Sequence, residues 1–116
     1  MVLNDLSDWG VNLKETLSRF VDDKDFYLSC LNTFTTEEGF EDLKDAMKSE
    51  NYSKAFEVSH SLKGLTGNLG LTPLYETICK LVDNLRHQEY SHVKEDYEKV
   101  LEKRKEFLEL MRVNEA

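Results

Sequence analysis

The run Ala55-Phe56-Glu57-Val58-Ser59-His60-Ser61-Leu62-Lys63-Gly64-Leu65-Thr66-Gly67-Asn68-Leu69-Gly70-Leu71-Thr72-Pro73 decides the fold class of this chain. At about 100° per residue, Ala55, Val58, Leu62, Leu65 and Leu69 fall on one side of a helix, the expected buried stripe. The helix is expected to open at about Tyr52 or Ser53, after the polar Ser49-Glu50-Asn51, and to stop at Gly70. Thr72-Pro73 then reads as an N-cap with proline at the first helical position. Beyond it Leu74, Ile78, Leu81, Val82 and Leu85 recur at helical spacing. Helices joined by so short a link become antiparallel neighbours.

The same spacing extends outward. Ser91 can cap a last helix in which Val93, Tyr97, Val100, Leu101, Phe107, Leu108 and Met111 hold one face. The acidic remainder, from Glu95 through Glu109, reads most simply as a solvated surface with some ion pairs one turn apart; it could instead seed a coiled coil, but the apolar spacing mixes threes and fours and does not indicate one. Towards the N-terminus, Tyr27, Leu31 and Phe34 begin a segment near Asp25 that resumes with Phe40, Leu43 and Met47. Thr35-Thr36-Glu37-Glu38-Gly39 between them can be a capping box, but one long helix is the favoured reading. Leu13, Leu17, Phe20 and Val21 mark a short amphipathic helix ending near Asp22-Asp23.

The expected fold is therefore all-α: an antiparallel up-and-down four-helix bundle with a short additional N-terminal helix, forming a single domain over residues 1–116. A chain of 116 residues, 40% hydrophobic and with one proline, is long enough to bury a core without metals or disulfides. Its 15 Lys+Arg against 23 Asp+Glu give a net charge of −8, which opposes attraction to nucleic acid or an anionic membrane. No run approaches the roughly 18 apolar residues of a membrane span, and no secretory leader is legible. Cys30 and Cys79 lack a metal or redox spacing and read as packing residues, reduced in a cytoplasmic setting.

The outward face of the 55–70 helix carries the chemistry. His60 lies almost opposite the apolar stripe, with Lys63 beside it and Gly64 and Gly67 one and two turns along. Each interior glycine costs a helix roughly 1 kcal/mol relative to alanine, so the pair requires a reason. One reason is close packing of another helix. The other is cleared space through which a partner brings a reactive group to the imidazole. An exposed neutral imidazole is a nucleophile towards phosphorus, and Lys63 would stabilise the incoming phosphoryl oxygens.

The run from Ala55 to Gly70 resembles the signature of histidine-containing phosphotransfer (HPt) domains, with its core of His-x-Leu-Lys-Gly and a second small-residue turn. Trp9-Gly10-Val11-Asn12-Leu13 through Phe20 is similar to that family's opening segment. The resemblance implies a relay: His60 accepts a phosphoryl group from the aspartate of one receiver domain and passes it to another. It implies a phosphocarrier rather than an enzyme, because the receiver supplies Mg²⁺ and most catalytic groups; the chain itself needs no cofactor or metal. Carried over by residue, His60 is the phosphoacceptor, Lys63 the phosphate-side cation, Gly64 and Gly67 the clearance, and Asn68 a polar orienting or loop-facing residue. Many members place an acidic or amide residue on the next helix to hold the imidazole, where this chain has Val82, beside Asp83 and Asn84.

Docking should surround His60, so Phe56, one turn before it, and Leu71, near the helix end, are candidate apolar contacts; Phe56 reads equally as a boundary core residue. The implied partners are receiver domains of response regulators or hybrid histidine kinases, met by a monomer in a weak, salt-sensitive encounter, with no nucleic acid or membrane involved. His87, Glu89 and His92 match no metal motif and read as surface residues. A histidine kinase dimerisation domain also presents a helical histidine, but expects an acidic residue after it, where Ser61 stands. The alternative from another class is an unphosphorylated helical adaptor that binds receiver or kinase domains.

Overall fold

The computed structural model describes residues 2–114; the expected domain bounds, residues 1 and 116, lie outside it. The described chain is all-α. Its elements are α1 (Val2–Trp9), α2 (Leu13–Arg19), α3 (Lys24–Phe34), α4 (Gly39–Lys48), α5 (Tyr52–Asn68), α6 (Thr72–Arg86), a short 3₁₀ turn (Tyr90–His92) and α7 (Val93–Val113). In sequence order α4 packs on α5, α5 on α6 and α6 on α7. Side chains close the remaining gap: Phe34 of α3 meets Phe107 of α7 at 6.0 Å, and the Arg104 guanidinium lies 4.3 Å from the centre of the Phe40 ring.

Every apolar residue expected on α6, Leu74, Ile78, Leu81, Val82 and Leu85, is buried. Thr72 corrects the expected cap. It is the first residue of the helix, preceded by the N-cap Leu71, and its side chain caps nothing. Ser91 likewise does not cap α7, because it lies inside the 3₁₀ turn that feeds the helix from His92. On α7, Val93, Val100, Phe107 and Met111 are buried, but Leu101 is 39% exposed.

The favoured single helix over residues 25–47 is two. The Thr35 and Thr36 hydroxyls donate to the carbonyls of Asn32 (2.6 Å) and Thr33 (3.2 Å), competing with helix continuation. No capping box replaces it, since α4 starts from Glu38 without a side-chain cap. The break has a packing reason. Six residues of unbroken helix would set Phe34 and Phe40 about 120° apart around the axis, whereas here both are buried and meet edge to face at 5.7 Å.

The N-terminal region holds one helix more than expected. Leu6 of α1 is fully buried, the Trp9 indole donates to Glu106 at 2.9 Å, and Asn114 donates to Asp5 at 2.9 Å, tying α1 to α7. Helix α2 stops at Arg19, short of the expected Val21. Phe20 turns in against Phe26 and Tyr27, and Val21 and Asp22 take left-handed backbone with φ of 48° and 57°. Val21 is 85% exposed and leaves the apolar face, which Thr16 joins instead.

Candidate functional site

Helix α5 opens on Asn51, whose side chain accepts from the Lys54 amide at 3.2 Å. It closes at Leu69, with Gly70 at φ +70°; a side chain at Gly70 would also collide with Thr16. The buried face is narrower and more polar than expected: Ala55, Ser59, Leu62, Thr66 and Leu69. Val58 is only half-buried and Leu65 is 40% exposed, both corrections to the predicted stripe. Ser59 and Thr66 bury without penalty because their hydroxyls donate to carbonyls of their own helix, Phe56 at 3.2 Å and Leu62 at 2.9 Å. The opposite face of the helix stays in solvent.

On that opposite face His60 is exposed. It lines a shallow, open depression of about 420 Å³ with Lys63, Gly64, Gly67 and Asn68 from α5, Arg19 from α2 and Tyr75 from α6. The structure thus brings together four residues singled out beside His60 and adds two that were not foreseen. No acidic side chain lines the depression, and Lys63 makes no ion pair among the described residues. In a chain of net charge −8 this is a patch with positive side chains and no acidic lining.

The two glycines do different work. A Cβ on Gly64 would meet nothing within 4 Å, so its absence leaves open space beside the imidazole. A Cβ on Gly67 would stand 2.9 Å from the Tyr75 ring, so this glycine admits an aromatic side chain of α6. The close-packing reading therefore applies to Gly67, while Gly64 faces open space.

Phe56 sits half-buried on the core, its ring 5.7 Å from the His60 ring, with the Arg86 guanidinium 5.6 Å from its centre. It is at once a core-boundary residue and the wall behind the histidine. Leu71 is corrected: it is fully buried and offers a partner no surface. Val82 is also fully buried, so α6 reaches the depression through Tyr75. Asn84, on another face, donates to the buried Asp96 at 2.5 Å.

Arg19 was invisible in the sequence because nothing local links it to residue 60. Its guanidinium donates to the last carbonyls of α5, Gly67 at 3.2 Å and Asn68 at 3.4 Å, and lies 3.6 Å from Glu15. Below it the Tyr27 hydroxyl donates to the Leu69 carbonyl at 2.8 Å. Burial pushes that phenol up to about 12, with the Arg19 charge pulling the other way.

Elsewhere, His87 donates to the Asp83 carbonyl at 2.8 Å and His92 lies 3.7 Å from Glu95. Among the described residues no group of three or more His, Cys, Asp or Glu side chains converges to hold a metal, and no helix is long and apolar enough to cross a membrane. Cys30 and Cys79 are free and half-buried.

No curated protein and no solved structure matches the chain. A family model, described as Hpt domain, matches residues 34–112, from the end of α3 through nearly all of α7 and including the whole of α5. An all-helical chain that presents His60 and Lys63 beside an open glycine belongs, by that match, to the Hpt domain family.

Proposed function

We propose that this protein is a phosphocarrier that relays a phosphoryl group between receiver-domain aspartates through a phosphohistidine at His60. The observation that carries the proposal is the exposed imidazole beside Lys63 and Gly64, in a depression with no acidic lining. Its architecture on this reading is an up-and-down bundle in which α3 and α4 together form one member and α5, α6 and α7 the others. The chain acts as one domain, a cytoplasmic monomer with reduced thiols.

In the forward step a ring-nitrogen lone pair of neutral His60 attacks the phosphorus of a receiver's aspartyl phosphate. The N–P bond forms, the P–O bond to the aspartate breaks, the carboxylate leaves, and the ring proton stays on the other nitrogen. The return step to a second receiver reverses this. Lys63 offsets charge on the phosphoryl oxygens, Gly64 admits the receiver, Gly67 seats Tyr75 along the path, and Asn68 offers a polar edge. Phe56 supports the imidazole and supplies apolar docking surface. The receiver brings Mg²⁺ and most of the catalytic groups, so this chain's contribution is a positioned nucleophile.

The test is incubation with a set of phosphorylated receiver domains, comparing the natural chain with His60→Gln. Acid-labile, base-stable phosphate should reach the natural chain and vanish in the variant. A folded natural chain that takes no phosphate from any competent receiver would contradict the relay and favour a helical adaptor.

A further inference from the structure

We infer that Arg19, carried by α2 outside the stretch that matches the family, is a second cation of the phosphoryl groove and takes phosphoryl oxygens over Gly64 when His60 is modified. This deepens the phosphocarrier reading and rests on it. Three observations lead there. Arg19 lines the same depression as His60 and Lys63. Its resting partners are modest: two carbonyls at 3.2 and 3.4 Å, and a Glu15 carboxylate at 3.6 Å that is itself largely exposed. The surface between Arg19 and the histidine is bare at Gly64.

The charge arithmetic gives Arg19 a reason to move. At rest it neutralises the partial negative charge that collects at the C-terminus of α5. A phosphoryl group on His60 adds close to two full negative charges and strong acceptor oxygens, against the helix end's half charge. His60 and Gly67 are separated by about 10 Å along the axis, with Lys63 and Gly64 between them. A guanidinium poised at the far end thus adds a second positive charge to that of Lys63. Arg19 contacts the phosphoryl group as a charge-stabilising residue; the nucleophile remains His60.

Potassium phosphoramidate, a small phosphoryl donor, tests this on the whole chain without a receiver's docking surface. Phosphohistidine formation is followed by intact mass, the ³¹P chemical shift is recorded, and melting is measured on the same samples. Arg19→Gln should slow formation about five-fold and shift the ³¹P resonance, while Arg19→Lys restores most of the rate. Glu15→Gln, which releases Arg19 without touching α5, should raise the rate about two-fold. Equal rates and ³¹P shifts in the natural chain and Arg19→Gln would overturn the inference and leave the relay standing. A loss in Arg19→Gln that Arg19→Lys fails to rescue, in step with lowered melting, would make Arg19 a helix cap only and also overturn it. If the natural chain accepts phosphate neither from phosphoramidate nor from any receiver, the relay itself falls.

Discussion

Helices α5 and α6 lie against each other and spend their side chains differently. α6 buries five large aliphatic residues, Leu74, Ile78, Leu81, Val82 and Leu85. α5 buries Ala55, Ser59, Leu62 and Thr66 along its length, two of them hydroxyl residues bonded to their own helix, and carries Gly64 and Gly67. The first helix supplies apolar area, at about 25 cal/mol per Å². The second buries less apolar area and leaves His60 and Gly64 exposed, with Lys63 half-buried beside them. On the proposed reading stability and chemistry are thus divided between adjacent helices, and each can be perturbed separately.

The largest expected effect tests the stabilising side. Leu81→Ala removes a fully buried side chain and should cost about 2–5 kcal/mol in urea unfolding while phosphorylation of the remaining folded fraction persists. A cost below about 1 kcal/mol would mean that α6 does not anchor the core.

Gly67→Ala probes the boundary between the helices. The gain in helix propensity is offset by a methyl placed 2.9 Å from the Tyr75 ring, for a net loss of about 1 kcal/mol. In a Tyr75→Ala background the same substitution should turn stabilising, a reversal that thermal melts of the natural chain and the three variants would reveal.

A comparable effect is expected from Tyr27→Phe, which strips the hydrogen bond from the buried end of α5 at a cost of about 1 kcal/mol at neutral pH. The folded protein holds this phenol protonated up to about 12, against about 10 when unfolded. Its contribution is therefore full below pH about 10 and is lost as pH rises through about 12. Unfolding measured across that range should show the natural chain losing stability that Tyr27→Phe, lacking the group, does not lose.

The same division explains what could be read from the chain alone. α6 was legible in full because its period, its proline and its apolar residues agree, and only the cap slipped by one residue. The outward face of α5 was legible because His60, Lys63, Gly64 and Gly67 are local in sequence and chemically unusual. Leu65 was misplaced because apolar character does not by itself choose the face: the buried row runs through Ser59 and Thr66, and Leu65 lies off it. The α3–α4 break was hidden because two threonines can either continue a helix or fold back on it, and only the tertiary meeting of Phe34 with Phe40 and Phe107 decides. Arg19, Tyr75 and the burial of Leu71 depend wholly on contacts between distant segments, which no local pattern announces.

The most direct test of the central claim, that the His60 side of α5 is kept clear for a partner at a cost in stability, is Gly64→Ala, read for melting and for receiver phosphotransfer on one sample. Nothing within the protein meets the added methyl, so the helix should gain up to about 1 kcal/mol, while transfer from a phosphorylated receiver slows because the partner must now pass that methyl. Transfer at the natural rate in the more stable variant would contradict the account, leaving Gly64 without the role assigned to it.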